Sequence, residues 1–345
     1  MSRFTPIPIL AVLCALGPAM VSAQGAPKPK PKAPAPAYSG MCDASAALAV
    51  GSDRFLVAND EDNILRLYRA DQPGRALVSR DITDFLALEN PQKEADIEGS
   101  AALGKTLYWI TSHGRNKEGK IKSNRYQFFA LALTDKGGAA VSIAGVGKPY
   151  THLMQDLLAD QRLERFKLDP LTKKDDPKRA PEKEGSTNIE GLCAWRDSQL
   201  LIAFRNPIPD GKALLVPLTN PARVIEGDKA VFGDPIQLDL GGLGVRSIER
   251  LPGSTYLIVA GPFDDHGAFQ LYQWSGDLAQ QPERIQGADL SNLNPEAIVV
   301  YPKRNKVQLL SDDGGEPVGT IPACKDLPDP WRKTFRHRWV SLPPK

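Results

Sequence analysis

The amino-acid sequence predicts an all-β protein, a β-propeller of five blades with one short helical insertion. Three observations predict it: a segment that recurs five times, polar residues at the same two positions of each copy, and short apolar strands separated by Gly, Pro, Asp and Asn. Each copy starts with a small or acidic residue and continues through two apolar runs joined by a turn. The copies begin at Cys42, Asp96, Asn188, Ser247 and Asn294.

An acidic residue lies near the start of every copy. These residues are Asp43, Glu98, Glu190, Glu249 and Glu296. Their spacing is close to the roughly 40–50 residues of a propeller blade, except between Glu98 and Glu190, where an insertion is required. A sixth blade, hidden in that insertion or shared between the termini, remains open.

The rest of each copy supplies the outer strands. Alternating or apolar runs occur at Ile64–Tyr68, Phe128–Leu133, Ala213–Val216 and Phe269–Trp274, and a run at Phe335–Val340 would complete the last blade. The insertion, at about residues 147–187, contains a helical pattern from Leu153 to Phe166. A charged, Pro-containing loop follows it, from Asp169 to Gly185.

The N-terminal region indicates export. Arg3, an apolar run and Val21-Ser22-Ala23 are typical of a signal peptide over residues 1–23, although a buried N-terminal element remains an alternative. Residues 24–37, rich in Pro, Lys and Ala, favour an extended tether, and residues 38–345 form the propeller domain. We therefore expect a periplasmic or secreted protein without a transmembrane segment.

Charge and cysteine content narrow the function classes. The 43 basic and 41 acidic residues give a net charge of +2, which argues against a nucleic-acid binder. We expect a monomer whose partner is a small anionic molecule or a component of the cell envelope. Cys42 and Cys324 flank the first and last copies, so a bridge between them would close the ring, but the pattern also allows free thiols. Cys193, in an apolar run, is expected to be buried.

Two positions of each copy are predicted to meet at one mouth of the central channel, because the second strand ends on the face where the first begins. One position is the acidic start; the other is the loop after the second strand. These loops carry Asn59, Asp60, His113, Arg115, Arg205, Asn206, Asp264, Asp265, His266 and Asp312.

Carboxylates that share a site raise one another's pKa unless something neutralises them. Three interpretations remain open. Ca²⁺ could bind to Glu98, Glu190, Glu249, Glu296 and Asp43; arginines such as Arg115, Arg205, Arg246 and Arg250 could pair with the carboxylates; or each acid could cap its own blade.

A hydrolytic interpretation assigns His113 as acid/base and Arg115 with Arg205 as the residues that orient an anionic substrate. Substrate contacts would come from Asn59, Asp60, Asn206, Asp264 and Asp312. The sequence contains no HExxH, CxxC, phosphate-binding Gly-rich loop or GxSxG motif. A non-enzymatic binding propeller of the cell envelope is the alternative.

The sequence also resembles a bacterial family of unknown function, domain-of-unknown-function family 3616. The resemblance is carried by VANDEDN (57–63), DIEGSA (96–101), SHGRNKEGK (112–120), NIEGL (188–192) and FRNPIPDGKALLVPL (204–218). It implies a propeller fold and no particular activity. A looser similarity to calcium-dependent phytase-like and lactonase-like propellers would imply a metal that polarises a phosphoryl or carbonyl oxygen, although a pure calcium site does not need the loop arginines.

Overall fold

A computed structural model shows five blades around a central channel, which confirms the predicted fold class and blade number. The structure describes residues 1–2, 37–137, 140–172, 174–264 and 266–342. The predicted signal peptide beyond residue 2, residues 24–36 of the predicted tether, and Asp265 therefore lie outside the described residues. One compact unit, Ala35–Lys345, contains every element described below.

Four blades are four-stranded antiparallel sheets. Blade 1 follows a short strand β1 (Tyr38–Ser39) and contains β2 (Ala44–Val50), β3 (Arg54–Asn59), β4 (Ile64–Arg69) and β5 (Val78–Asp81). Blade 2 contains β6 (Ile97–Leu103), β7 (Thr106–Thr111), β8 (Phe128–Asp135) and β9 (Val141–Tyr150). Blade 3 contains β10 (Asn188–Trp195), β11 (Gln199–Asn206), β12 (Ala213–Leu218) and β13 (Ile236–Leu238). Blade 4 contains β14 (Gly244–Arg250), β15 (Tyr256–Gly261), β16 (Gln270–Trp274) and β17 (Glu283–Arg284).

Blade 5 closes the ring and is formed by three strands from the C-terminal part of the domain. Its sheet is β18 (Pro295–Val300), β19 (Lys306–Ser311) and, as predicted for the C-terminal run, β21 (His337–Ser341). Just before β21, β20 (Thr334–Phe335) pairs with β1. The innermost strands β2, β6, β10, β14 and β18 pack side by side around the channel, and β18 returns to β2. The apolar faces of neighbouring blades form the core between them.

The short helices lie in the connections. They are α1 (Thr83–Leu86), α2 (Leu153–Ala159), α3 (Pro221–Val224) and 3-10 turns at Ser123–Arg125, Gln161–Phe166, Pro177–Arg179, Pro209–Gly211, Cys324–Asp326 and Pro330–Arg332. Strand β9 continues to Tyr150, so the insertion occupies residues 151–187 and starts later than the sequence pattern indicated. The predicted helix is α2 followed by a 3-10 turn, whose apolar side chains join the core of blades 2 and 3. No described helix has the length and apolar content needed to span a bilayer.

A disulfide connects the two ends of the ring. Cys42, directly before blade 1, is bonded to Cys324, in the connection that leads to the last strand, with 6.1 Å between their Cα atoms. Cys193 is free and buried. The bridge spans 282 residues of sequence, so its main effect is to restrict the unfolded chain.

Replacing both bridged cysteines by serine should lower the free energy of unfolding by about 2–5 kcal/mol, the range found when native disulfides are removed. Denaturant titration of the oxidised protein and of the Cys42→Ser/Cys324→Ser variant measures the difference. Reductant should reproduce the loss in the wild type and have no further effect on the variant. Equal stability of the oxidised and reduced wild type would contradict this role of the bridge.

Candidate functional site

A β-bulge at the channel end of every inner strand sets the site. At each bulge one residue has no partner on the second strand, and these residues are Ser45, Glu98, Glu190, Arg246 and Glu296. Because a bulge re-aims a side chain out of the strand's alternation, the five occupy equivalent positions around the channel. In blades 2, 3 and 5 they are the glutamates predicted from the sequence.

The predicted register was wrong in blades 1 and 4. The bulge position of blade 1 holds Ser45, and Asp43 comes two residues earlier, just before β2. In blade 4 the position holds Arg246, and Glu249 lies further along β14, opposite Leu257. Glu249 is therefore not a candidate ligand at the mouth. It lines a water-sized cavity inside the channel and accepts a hydrogen bond from its neighbour's backbone, Arg250 N, at 3.0 Å.

Burial raises the pKa of Glu249 to about 8. Because the folded state holds this proton more tightly than the unfolded state, the stabilisation is complete below about pH 4.5 and is lost as the pH rises towards 8. Glu249→Gln removes this loss. We expect the variant to melt at least about 2 °C above the wild type at pH 8.5, equivalent to about 1 kcal/mol, and near the wild type at pH 4.5. Melting curves across this pH range measure the difference between the variant and the wild type. Glu283→Gln, on the exposed outer strand β17, is the control. If the melting temperatures of Glu249→Gln and the wild type changed with pH in the same way, the raised pKa of Glu249 would be contradicted.

The ends of the second strands bring a second set of residues to the mouth. The equivalent positions are Asp60, Ser112, Arg205, Gly261 and Asp312, each of which follows the residue paired with the one before the bulge. The glycine in blade 4 makes room for the arginine: a Cβ at Gly261 would lie 2.7 Å from Arg246 Cγ. Blade 4 therefore has an arginine at the bulge position, where blades 2, 3 and 5 have a glutamate, and a glycine at the second-strand position, where the other blades have a larger side chain.

The charged residues of the two sets line a cleft of about 440 Å³ at the channel mouth. Its charged lining residues are Asp43, Asp60, Glu61, Glu94, Asp96, Glu98, Lys117, Arg125, Glu182, Glu190, Arg205, Arg246, Glu296, Asp312, Glu316 and Lys325. Their ion pairs divide the cleft into two halves of different character.

The half formed by blades 3, 4 and 5 is neutralised by arginines, and we call it the arginine half (Glu190, Arg205, Arg246 and Glu296). Arg246 Nε lies 2.9 Å from Glu190 Oε2, and its Nη2 donates to Glu296. Arg205 Nη1 donates to Glu190 Oε1 at 2.9 Å, and Asn188 Nδ2 donates to the same oxygen at 3.0 Å. Glu190 and Glu296 therefore have charge partners within the protein.

The half formed by blades 5, 1 and 2 has few such partners, and we call it the acidic half (Asp43, Asp60, Asp96, Glu98 and Asp312). Two groups of three carboxylates, Asp43/Asp60/Asp312 and Asp60/Asp96/Glu98, each place one oxygen per residue within 4.8 Å of the others. Arg125 Nη1 approaches Asp96 Oδ2 at 3.0 Å. Burial and the neighbouring carboxylates raise the pKa of Asp43, Asp60 and Glu98.

Two observations show that these carboxylates are not satisfied by the protein. The buried oxygen Asp60 Oδ1 has no hydrogen-bond partner among the described residues. Glu98 is only 8% exposed, yet no described side chain or backbone amide donates to it. Buried polar groups normally have a partner, and buried charges are normally paired or coordinate a metal. The acidic half therefore fits a hard cation, and its all-oxygen donor set suits Ca²⁺ better than a metal that prefers nitrogen or sulfur.

The structure does not bring His113 to the mouth. Its φ of 50° is left-handed and the side chain is buried, with Nδ1 donating to Thr111 O at 2.8 Å and the ring against Tyr126. Burial lowers the pKa of His113 to about 4. The predicted acid/base role is corrected accordingly, because His113 is sequestered from the cleft.

Arg115 is also buried away from the cleft. It forms a two-pronged ion pair with Asp169, with Nε–Oδ2 at 2.5 Å and Nη2–Oδ1 at 3.0 Å, and donates to three loop carbonyls. It anchors the insertion to blade 2, so its predicted substrate role is not supported. The Asp169–Gly185 segment is accordingly tethered at its start rather than wholly solvated.

Of the predicted substrate contacts, Asp60 and Asp312 lie in the acidic half. Asn59 orders the turn that presents Asp60, with its Oδ1 accepting from Glu61 N at 3.2 Å. Asn206 donates to the carbonyls of Pro181 and Lys183 and lines a neighbouring pocket instead of the cleft. Asp264 accepts from His266 N, and neither residue lines the cleft.

Several cleft residues were not predicted as site residues, among them Asp96, Arg125 and Lys325. Asp96 opens the DIEG motif, of which only Glu98 was predicted as a ligand. Arg125 and Lys325 come from connections that the repeat pattern does not align. Lys325 follows the disulfide cysteine directly and pairs with Glu61 at 2.6 Å.

Comparison with known proteins identifies the family. The sequence matches the family described as "Protein of unknown function (DUF3616)" over residues 43–135 and 131–305. The chain belongs to this family. A search of curated proteins found no match.

Solved structures with similar folds include a glutaminyl cyclase from Myxococcus xanthus, with a TM-score of 0.44 and 14% identity over 89% of this chain and 94% of that chain. Another is the PQQ-bound aldose sugar dehydrogenase from Streptomyces coelicolor, with a TM-score of 0.42 and 10% identity over 88% of this chain and 96% of that one. A third is a GH43 protein, BlXynB, from Bacillus licheniformis, with a TM-score of 0.41 and 10% identity; the match covers 79% of this chain and 49% of that chain. At these identities none of their activities transfers to this chain.

Proposed function

We propose that this DUF3616 protein is an exported, calcium-dependent propeller that binds a small anionic ester at its channel mouth and hydrolyses it. The observation that carries the proposal is the acidic half, where five carboxylates form one cluster and the buried oxygen Asp60 Oδ1 has no hydrogen-bond partner among the described residues. The predicted signal peptide and the Cys42–Cys324 bridge favour a periplasmic or secreted location.

The residues of the acidic half would hold the cation, with Asp60 at the centre and Asp43, Asp312, Asp96 and Glu98 around it. A bound divalent cation polarises a phosphoryl or carbonyl oxygen and lowers the pKa of a bound water. In the hydrolysis, a water oxygen bonds to the phosphorus or acyl carbon as the bond to the leaving oxygen breaks. One proton of the water passes to that oxygen by way of a cleft carboxylate, so the products are an alcohol and the free acid.

Positive charge at the same cleft would attract and orient the anionic group of the substrate. Arg205 and Arg125 lie at the edges of the two halves, and Lys117 and Lys325 stand at the rim. Arg205, Arg125 and Lys325 are each paired with a carboxylate at 3.0 Å or less, which fixes their positions, whereas the exposed Lys117 lies 3.8 Å from Glu182. An arginine so placed suits a phosphate or carboxylate oxygen.

One observation favours binding without turnover as the second candidate. Neither His113 nor His266 lines the cleft, so among the described lining residues proton transfer would fall to carboxylates. A propeller that captures an anion through its bound cation needs no proton transfer.

The experiment is an assay of a phosphomonoester, a phosphodiester and a lactone with calcium and with chelator. We expect calcium-dependent hydrolysis of one class, loss of it in Asp312→Asn, and retention in Glu283→Gln, an exposed carboxylate on the outer strand β17 that does not line the cleft. Calcium-dependent binding of inorganic phosphate without turnover of any ester would support the binding candidate. Activity that survives chelation would contradict the proposal.

A further inference from the structure

The two carboxylate groups of the acidic half share one residue, Asp60. Asp60 follows β3 at the centre of blade 1, between Asp43 and Asp312 on the side of blade 5 and Asp96 and Glu98 on the side of blade 2. We propose that the acidic half holds two divalent cations, one in each group, with the Asp60 carboxylate between them. This inference rests on the proposed cation dependence and extends it from one ion to two.

The local charge favours two ions over one. The two groups together contain five carboxylates, and the arginine in contact with them is Arg125, at Asp96. When all five carboxylates are ionised, as metal binding requires, a single divalent cation plus Arg125, which also approaches Glu94 at 3.6 Å, leaves at least about two negative charges in a buried cluster, which is costly in a low-dielectric site. Two divalent cations plus Arg125 balance the five carboxylates.

Each group contains a buried carboxylate that faces its own part of the cluster. In the blade 5 group, Asp43 is 4% exposed and lies beside the Asp312 carboxyl, and the backbones of these two residues form a bridge across the ring closure. In the blade 2 group, Glu98 is 8% exposed and has no donor among the described residues. One ion in one group would leave the carboxylates of the other group without a cation.

The fold holds these carboxylates in place without a cation. Gly314 N donates to Asp312 Oδ1 at 2.8 Å. A Cβ at Gly314 would collide with Asp43, so only glycine lets the blade 5 loop lie this close to the Asp43 carboxylate. In blade 2 the bulge sets Glu98, and Arg125 holds Asp96. Both groups are therefore pre-positioned, as a pair of adjacent binding sites requires.

Equilibrium dialysis of the full-length protein against ⁴⁵Ca²⁺ tests the stoichiometry directly. We expect two ions per wild-type chain, one in Asp312→Asn, which removes a ligand of the blade 5 group, and one in Glu98→Gln, which removes a ligand of the blade 2 group. Glu182→Gln should retain two. A melting curve of each variant shows that it is folded before dialysis.

The outcomes separate this inference from the proposed function. One ion in the wild type, lost in both Asp312→Asn and Glu98→Gln, would overturn the two-ion inference and leave the calcium-dependent function standing. No bound ion in the wild type would overturn both. The wild-type stoichiometry decides the question even where a variant does not fold.

Discussion

Arg246→Met is expected to lower the free energy of unfolding by about 3–5 kcal/mol, the cost of removing one partner from a buried ion pair. Arg246 contacts two glutamates at once, and both are more than nine-tenths buried, Glu190 at 4% and Glu296 at 6% exposure. Without the guanidinium, these carboxylates lose a shared counter-charge inside the channel. Denaturant titration measures the loss.

Neutralising the two glutamates should restore most of that stability, because a neutral buried cluster no longer needs a cation. The matched test is Arg246→Met combined with Glu190→Gln and Glu296→Gln. Arg338→Met is the surface control: its pair with Asp289 is exposed, so we expect a change of at most about 1 kcal/mol. If Arg246→Met cost no more than this control, the arginine half would not be the electrostatic support of the ring.

Asp60→Asn should weaken calcium binding by at least about 100-fold, since losing even an outer partner of a metal ligand costs about 10–100-fold. Asp60 belongs to both carboxylate groups, so no other single substitution is expected to have so large an effect. The metal-free protein should respond in the opposite direction. Replacing a carboxylate whose pKa is raised by burial and by its neighbours relieves repulsion, so the metal-free variant should be more stable than the metal-free wild type.

Calcium titration calorimetry and melting curves with and without chelator measure both effects on the same samples. Glu182→Gln should behave as the wild type in each. An Asp60→Asn variant that binds calcium with wild-type affinity would remove Asp60 from the site and with it the proposed centre of the acidic half.

The fold could be predicted because the same pattern of apolar strands and polar loop residues occurs five times in the sequence. The blade 4 register could not, because Ser247-Ile248-Glu249 resembles Asn188-Ile189-Glu190 in composition. The bulge that selects Arg246 depends on how β14 pairs with β15, and strand composition does not reveal that pairing.

The sequence predicted where the site lies, at the channel mouth, better than it predicted which residues form it. His113 follows β7 in the expected loop, but its left-handed backbone turns the ring into the core. Which acids pair with arginines and which do not depends on side chains from different blades, such as Arg246 reaching Glu190 in blade 3 and Glu296 in blade 5. The division into an arginine half and an acidic half depends on contacts between blades, which an alignment of the repeats does not show.

Removal and return of calcium tests the acidic half most directly. The wild-type protein should contain calcium after purification, melt at a lower temperature after chelation, and recover when calcium is added. At about 100 times Kd the added ion should stabilise the fold by about 2.7 kcal/mol. A metal-free protein whose melting temperature does not change on adding calcium would contradict a cation site at the channel mouth.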